Sequence, residues 1–529
     1  MRAMSKSIAC WAAAALAAAC GAAAASASGE ADLRALAAQY RAVHRYSTLF
    51  TAQNVRDYLA TEAGIERAID WCRRTAVTKV YLESFRDGFL CPRALLERAK
   101  KRFLEAGFDV CGCVTTTGVG KRSNHWRVIS CYTDLATQDR LAEIFRYTAS
   151  LFDEIMIDDF WFTDCTCEAC DAARRDRRVR VGDKTWTAPD DTWEGYRGEL
   201  MFRLSQERVL KPAKAVNPRV RVIVKYPQWY DRFHERGYDV GRETAIFDKI
   251  WVGTETRDYN DPRWGGTVQY EAFFIMRWLG GIGGAKCGGG WFDWLGTTPK
   301  TYIEQARQTI LGGARESMLF CYGGLQRDSG PEDVKALRRN LPELFRVAAE
   351  VRKRRLRGVA FYKPINSHPE NEARVFDFAG MLGIPGAPTH LFPTNAPAAF
   401  FSVHALKDPG FELKFRAFLD AGKPALITDG LARRLRRRGV KLPSGQVRIL
   451  PVRGDPKRLL NLSQEELDAL REPLLDPLGV AFRAPNKTAL YLFNDDSVVV
   501  ENFNNRPVQV RLQGASFTVP ARGWRCEWR

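Results

Sequence analysis

Between Val77 and about Tyr322, short β-type runs alternate with amphipathic helical stretches, and this rhythm restricts the fold more than any other feature of the chain. The β-type runs are Val77–Leu82, Asp109–Val114, Glu154–Ile157, Arg221–Val224, Lys249–Val252, Gly289–Phe292 and Ser317–Phe320. Helical stretches such as Pro92–Ala106, Asp139–Leu151 and Trp193–Ala215 separate them. Strand-then-helix units build a parallel sheet, because the crossover helix lets the next strand run the same way. Seven or more units over about 250 residues is the length of a (β/α)8 TIM barrel. Most of the runs end in polar, charged or aromatic residues, and barrel enzymes place their chemistry at those carboxyl ends.

The pattern changes twice downstream. After the basic run Arg352-Lys353-Arg354-Arg355, a second set of β/α units starts at Gly358–Tyr362 and continues through Asp377–Leu382, Ala399–Ala405 and Pro424–Gly430. The expectation is an open Rossmann-like layer domain over residues 356–475. Beyond it, Ala489–Phe493, Ser497–Phe503, Val508–Leu512 and Trp524–Trp528 are strand-like and broken by Asn-Asp, Asn-Asn-Arg-Pro and Gly turns, which predicts a small β-sandwich over 476–529. The barrel then occupies 29–355. Residues 1–28 read as a secretory signal peptide: Arg2 and Lys6 precede an Ala-rich apolar stretch that ends in small residues. Cys20, following Ala17-Ala18-Ala19, also fits a lipoprotein processing site. The expected location is secreted or periplasmic, and no later stretch is long and apolar enough for a membrane span.

The sharpest local signal is Asp158-Asp159-Phe160-Trp161-Phe162-Thr163-Asp164-Cys165-Thr166-Cys167-Glu168-Ala169-Cys170. Its first half delivers two adjacent carboxylates at the end of an apolar strand. Alternation along a strand predicts that at most one of Asp158 and Asp159 faces a given site. Its second half packs Cys165, Cys167 and Cys170 into six residues, a spacing suited to a tetrahedral metal with one further ligand. Cys131, in Ile129-Ser130-Cys131-Tyr132, is the candidate fourth ligand and structural Zn2+ the candidate metal. The alternative is a disulfide with spare thiols.

This Cys-x-Cys-x-x-Cys, just after the fourth barrel strand and with a fourth Cys upstream, resembles the structural zinc site of the family 42 glycoside hydrolases, the β-galactosidases. Tyr362–Ser367, Gly380–Pro385 and Gly422–Gly430 are similar to the amidotransferase-like trimerisation domain of that family. The order of barrel, Rossmann-like domain and β-sandwich is also shared. The resemblance implies glycosidic chemistry, structural zinc and a trimer. One departure matters: the family carries an Asn-Glu pair after strand four, whereas this chain has Ile157-Asp158-Asp159-Phe160. The family's glutamates therefore do not transfer. An aspartate on strand four with a carboxylate on strand six is more similar to barrel glycosidases of the α-galactosidase type.

Glycosidic cleavage needs one carboxylate as nucleophile or base and a second held protonated as acid. The expected nucleophile is Asp159, then Asp158; the expected acid/base is Glu255, in Gly253-Thr254-Glu255-Thr256-Arg257, with Asp293 the alternative partner from strand seven. Candidate substrate-binding residues are Glu83 and Arg86 (with Asp87) at the end of the first run, Lys225, Tyr226 and Trp229 at the fifth, and Arg257. Trp161, Trp291 and Trp294 are further candidates for sugar stacking. Gly280-Gly281-Ile282-Gly283-Gly284 and Gly288-Gly289-Gly290 lack the Gly-Lys-Ser/Thr ending of a nucleotide loop and read as a mobile loop near the site. Fourteen Trp favour a sugar ligand, since flat apolar faces stack on pyranose rings. The formal charge of +18 is scattered, so nucleic acid is not the expected partner, although an anionic polysaccharide fits it. The competing class is a non-catalytic carbohydrate-binding or assembly protein on the same scaffold.

Overall fold

The computed structural model describes residues 32–257 and 268–529. The signal segment at 1–28 lies outside the described residues. Eight parallel strands form a closed barrel: β1 (Arg45–Phe50), β2 (Val77–Arg86), β3 (Asp109–Val114), β4 (Glu154–Ile157), β5 (Arg221–Tyr226), β6 (Lys249–Gly253), β7 (Cys287–Asp293) and β8 (Glu316–Phe320). Closure is direct, because β1 pairs with β8 (Arg45 opposite Glu316) and with β2 (Phe50 opposite Leu82). The strand β1 lies upstream of the sequence rhythm. Its Ser47 and Thr48 break the apolar run, yet both are buried, and the Thr48 hydroxyl donates to the Leu319 carbonyl. The run Val77–Leu82 is therefore part of the second strand, not the first.

Alternation along each strand divides the side chains between lumen and helix layer. Leu49, Tyr81, Cys111, Cys113, Met156, Ile223, Trp251, Trp291 and Met318 fill the lumen as one apolar cluster. Below it, at the amino ends of the strands, Lys79 reaches Glu154 (2.8 Å) and Glu316 (3.4 Å). Above it lie the carboxyl ends and the loops that follow them. Side-chain caps start several of the barrel helices: Thr51 for Ala52–Tyr58, Asp134 for Leu135–Ala149 and Thr298 for Pro299–Leu311.

Beyond the barrel, β9 (Leu356–Arg357) leaves the long helix Gly330–Lys353. A five-stranded parallel sheet follows, of β10 (Val359–Tyr362), β11 (Gly386–Thr389), β12 (Ala399–Phe401), β13 (Ala425–Thr428) and β14 (Val447–Leu450), in the order β11-β10-β12-β13-β14. That doubly wound order matches the expected Rossmann-like layer. Asp377–Leu382, taken with the β/α units, falls mainly in the helix Val375–Met381.

The strands that follow this sheet are β15 (Phe482–Arg483), β16 (Thr488–Phe493), β17 (Val498–Asn502), β18 (Val508–Leu512), β19 (Ala515–Val519) and β20 (Gly523–Glu527). They form two antiparallel sheets, β9-β16-β17-β20 and β15-β18-β19. Thus the strand that leaves the barrel, β9, is an edge of the last sheet. That sheet also packs on barrel helices. Buried Gln308 donates to the Tyr491 hydroxyl (2.6 Å) and to Glu501, the Trp524 indole donates to Glu343 (2.9 Å), and Arg307 donates to the Arg522 carbonyl (2.8 Å).

Candidate functional site

The carboxyl end of the barrel gathers four carboxyl groups around one buried ammonium. Lys225 follows Ile223 by two residues, so it too points into the lumen, and its side chain is fully buried. Its Nζ lies 2.6 Å from Glu255 Oε1, 3.1 Å from Asp159 Oδ2 and 3.8 Å from Asp158 Oδ1. The face of Trp291 closes the floor, with its ring centroid 3.6 Å from that Nζ, a desolvated cation–π contact. Burial disfavours the ammonium, but Asp159, Glu255 and Asp158 outweigh it and keep Lys225 charged.

Asp158 and Asp159 both reach this centre, contrary to the expectation of one. Strand pairing stops at Ile157, so strict alternation no longer applies to the two residues after it. Their environments nevertheless separate them. Asp158 is 1% exposed; its Oδ2 accepts from Arg86 (2.6 Å) and lies 3.0 Å from the Thr115 hydroxyl. Burial pushes its carboxyl up, but Arg86 and then Lys225 prevail and hold it ionised. Asp159 keeps 19% of its side chain exposed at the mouth. Burial, opposed by Lys225 and reinforced by Asp158 and Glu255, pushes its carboxyl up to about 8. The two adjacent aspartates are thus pushed in opposite directions, the pattern that marks an acid beside a base.

Glu255 hangs from the end of β6. Its Oε2 is buried with no hydrogen-bond partner among the described residues, while Oε1 rests on Lys225. A Cβ on Gly253 would lie 2.4 Å from that free oxygen, so glycine is what leaves room for the carboxylate. Asp293, at the end of β7, accepts from Arg257 at 2.5 Å. Burial, opposed by Arg257, pushes its carboxyl up to about 6. Arg257 also donates to the Leu295 carbonyl (3.2 Å).

Several expected binding residues have other roles. Glu83 is fully buried: its carboxylate accepts from the Ala52 amide, from Arg86 (2.8 Å) and from Thr115, so it orients Arg86 and touches no open space. Tyr226 is next to Lys225 and therefore faces outward, its hydroxyl 3.4 Å from Thr244 Oγ1 in the helix layer. Trp161 is fully buried, its indole donating to Ser205 (2.9 Å), and is core. Trp291 is floor, as described. Asp87 lies in an exposed turn with φ of 53°. Trp294 is half-buried, with its indole nitrogen packed against Gly324. The run Gly280–Gly290 leads into the amino end of β7, opposite the carboxylates, and is no loop of this site.

Phe160 and Phe162 flank Trp161 in the loop after β4. They meet Trp126 (centroids 5.5 and 6.0 Å), which is 47% exposed, and Phe162 meets Trp229 edge-on at 5.4 Å. This aromatic wall beside Asp159 was legible only in part: Trp229 stood out, whereas Trp126, Phe160 and Phe162 did not. Tyr238, also unforeseen, donates its hydroxyl to the Asp159 carbonyl (2.8 Å) and so fixes the backbone of that residue.

Cys131 in the β3 loop, Cys165 and Cys167 in the β4 loop and Cys170 in the helix Glu168–Arg175 converge. Their four Sγ atoms lie within 4.8 Å of one another, with Cys131–Cys170 at 3.5 Å, Cys167–Cys170 at 3.6 Å and Cys131–Cys167 at 3.8 Å. All four carry free thiols. A tetrahedron of thiolates about 2.3 Å from a zinc ion has edges of about 3.8 Å, so the donor set fits such an ion. Elsewhere, no helix among the described residues is long and apolar enough to cross a membrane.

The model of a family described as "Probable glycosyl hydrolase, catalytic domain" matches residues 31–354. An uncharacterised protein of Saccharolobus solfataricus is 30% identical over 283 residues, which are 50% of this chain and 46% of that protein. The matched part thus spans about half the length of this relative. Among solved structures, a catalytic mutant of a family 42 β-galactosidase from G. stearothermophilus shares the fold over 92% of this chain and 98% of its own, with a TM-score of 0.62 and 11% identity. An α-L-fucosidase from Paenibacillus thiaminolyticus covers the same 92% and all of its own chain, with a TM-score of 0.61 and 11% identity.

Proposed function

This chain belongs to the family of probable glycosyl hydrolase catalytic domains, and from that premise we propose that it cleaves glycosidic bonds with Asp159 as general acid and Glu255 as the opposing carboxylate. Its substrate is accordingly carbohydrate. This assignment reverses the roles expected from sequence. The observation that carries it is the shared ammonium of Lys225, which holds an Asp159 oxygen and a Glu255 oxygen within about 6 Å of each other, while Asp159 retains its proton. Retaining glycosidases separate their two carboxyl groups by about 5–5.5 Å, whereas inverting ones need roughly 6.5–9.5 Å to admit a water. A retaining reaction fits the closer spacing.

Asp159 would donate its proton to the leaving oxygen, while the free Oε2 of Glu255 attacks the anomeric carbon. Water, deprotonated by Asp159, then releases the sugar from Glu255. Lys225 balances the charge under both groups, Arg86 keeps Asp158 ionised beside them, and Asp293 held by Arg257 is the alternative partner. Exposed Trp126 and half-buried Phe160 and Trp229 offer apolar faces on which a sugar stacks, with buried Phe162 packed against them.

The four cysteines fit zinc as a structural ion, tying the β3 and β4 loops that carry this wall. The proposal extends to a signal-directed, secreted or periplasmic protein, with the barrel over 29–355, an amidotransferase-like domain over 356–475 that serves trimer assembly, and a β-sandwich over 476–529. The test of function is hydrolysis of a panel of aryl glycosides and neutral or anionic polysaccharides by the wild type beside Asp158→Asn, Asp159→Asn and Glu255→Gln. Turnover that survives intact in Glu255→Gln, or no turnover with sugar binding retained, refutes the assignment.

A further inference from the structure

The amino end of the barrel holds a cavity of about 160 Å³, on the side away from the carboxylates. The glycine-rich run at the start of β7 makes it. Gly288 is the extra residue of a bulge, since Cys287 lies opposite Ile250 and Gly289 opposite Trp251. A Cβ at Gly288 would stand 2.6 Å from the Trp251 indole nitrogen, so only glycine keeps the space open. Trp251 is 1% exposed and lines the cavity, its indole nitrogen beside Gly288.

The walls are cationic. Arg45, Lys79, Lys249, Lys286 and Arg315 line the cavity, and among the described residues Glu316 is the one carboxylate lining it. The surrounding carboxylates are each shared, which leaves positive charge in surplus. Glu154 serves Lys79, Lys249 and Arg221; Glu316 serves Lys79 and Arg45; Asp109 serves Arg41 and Arg45. Lys286 spends its three protons on the Thr244, Ala245 and Phe247 carbonyls and contributes charge alone. A half-enclosed space with surplus cations and an indole N–H in its wall favours an anion that accepts several hydrogen bonds at once.

We propose that this cavity is a binding site for a small tetrahedral oxyanion, of the phosphate or sulfate class, separate from the glycosidic site. The ligand closes the barrel floor by accepting from Trp251, Arg315 and the free protons of Lys79 and Lys249. The volume admits one such ion with a few waters, water itself taking about 30 Å³. The test is isothermal titration and thermal melting of the full chain with inorganic phosphate, and separately with sulfate, at constant ionic strength set by chloride. The wild type is expected to bind one ion saturably and to melt at higher temperature with it. Gly288→Val, which fills the cavity, should abolish binding. Arg315→Ala, an exposed change that spares folding, and Trp251→Phe should each weaken it at least about tenfold. Chloride acting as well as phosphate, or equal phosphate affinity in wild type and Arg315→Ala, overturns the proposal.

Discussion

If Asp159 is the general acid, the alkaline side of the pH–rate profile belongs to it. Its carboxyl is pushed up to about 8 against an ordinary 3.8, so the protonated form prevails at neutral pH and is lost as pH rises above that value. The rate constant kcat/KM for an aryl glycoside with a poor leaving group should therefore fall about tenfold per pH unit above pH 8. A dinitrophenyl glycoside, whose leaving group needs no proton, should show no such fall. Asp159→Asn should cost about 10²–10⁴-fold on the first substrate, far less on the second, and should remove the alkaline limb. Lys225 opposes the protonated state, so Lys225→Met should move the limb to still higher pH in whatever activity remains. An alkaline limb that persists unchanged in Asp159→Asn, or a wild-type profile flat to pH 9, refutes the reasoning.

Three further outcomes follow from the same geometry. Lys225→Met leaves Asp158, Asp159 and Glu255 without their common cation in a dry site; urea unfolding should show a loss of about 3–5 kcal/mol, and a loss below about 1 kcal/mol contradicts the buried clamp. Purified protein should contain one zinc per chain by elemental analysis, and Cys167→Ser should lose the metal together with several degrees of Tm, whereas a disulfide found by mass spectrometry among these four residues removes the claim. Asp159 and Asp293 bind protons more tightly folded than unfolded, so the stability they contribute is complete below about pH 4 and is lost as pH rises through about 6 and 8. Between pH 6 and 8, Asp159→Asn should flatten the decline by up to about 1.4 kcal/mol per pH unit, read from urea midpoints; an unchanged slope counts against the raised carboxyl.

The barrel was legible because its lumen and helix layer impose a period that survives in a single sequence: β3 and β4 have the bounds their residues predict. The strand β1 was not, since Ser47 and Thr48 interrupt its apolar run and their burial is settled only by neighbours far along the chain. The cysteine convergence was readable from spacing, including the distant Cys131. The errors at the site are errors of side. Tyr226 stands beside inward-facing Lys225, and Trp161 between two rings of the aromatic wall; sequence position shows proximity more readily than direction. The Asp158–Asp159 pair misled in the other sense, because parity ends where strand pairing ends. Nothing local marked Tyr238 or Trp126, which come to Asp159 from loops after β5 and β3.

The packing of the last sheet on the barrel also orders events during synthesis. Strand β8 leaves the ribosome about 180 residues before Glu501, at the usual rates a delay of roughly ten to forty seconds. Through that interval Gln308 has neither Tyr491 nor Glu501 to accept its amide protons, and Glu343 lacks the Trp524 indole. A nascent barrel therefore holds two of its outer helices with unanswered polar groups and uncovered apolar faces. Its maturation waits on the far end of the chain.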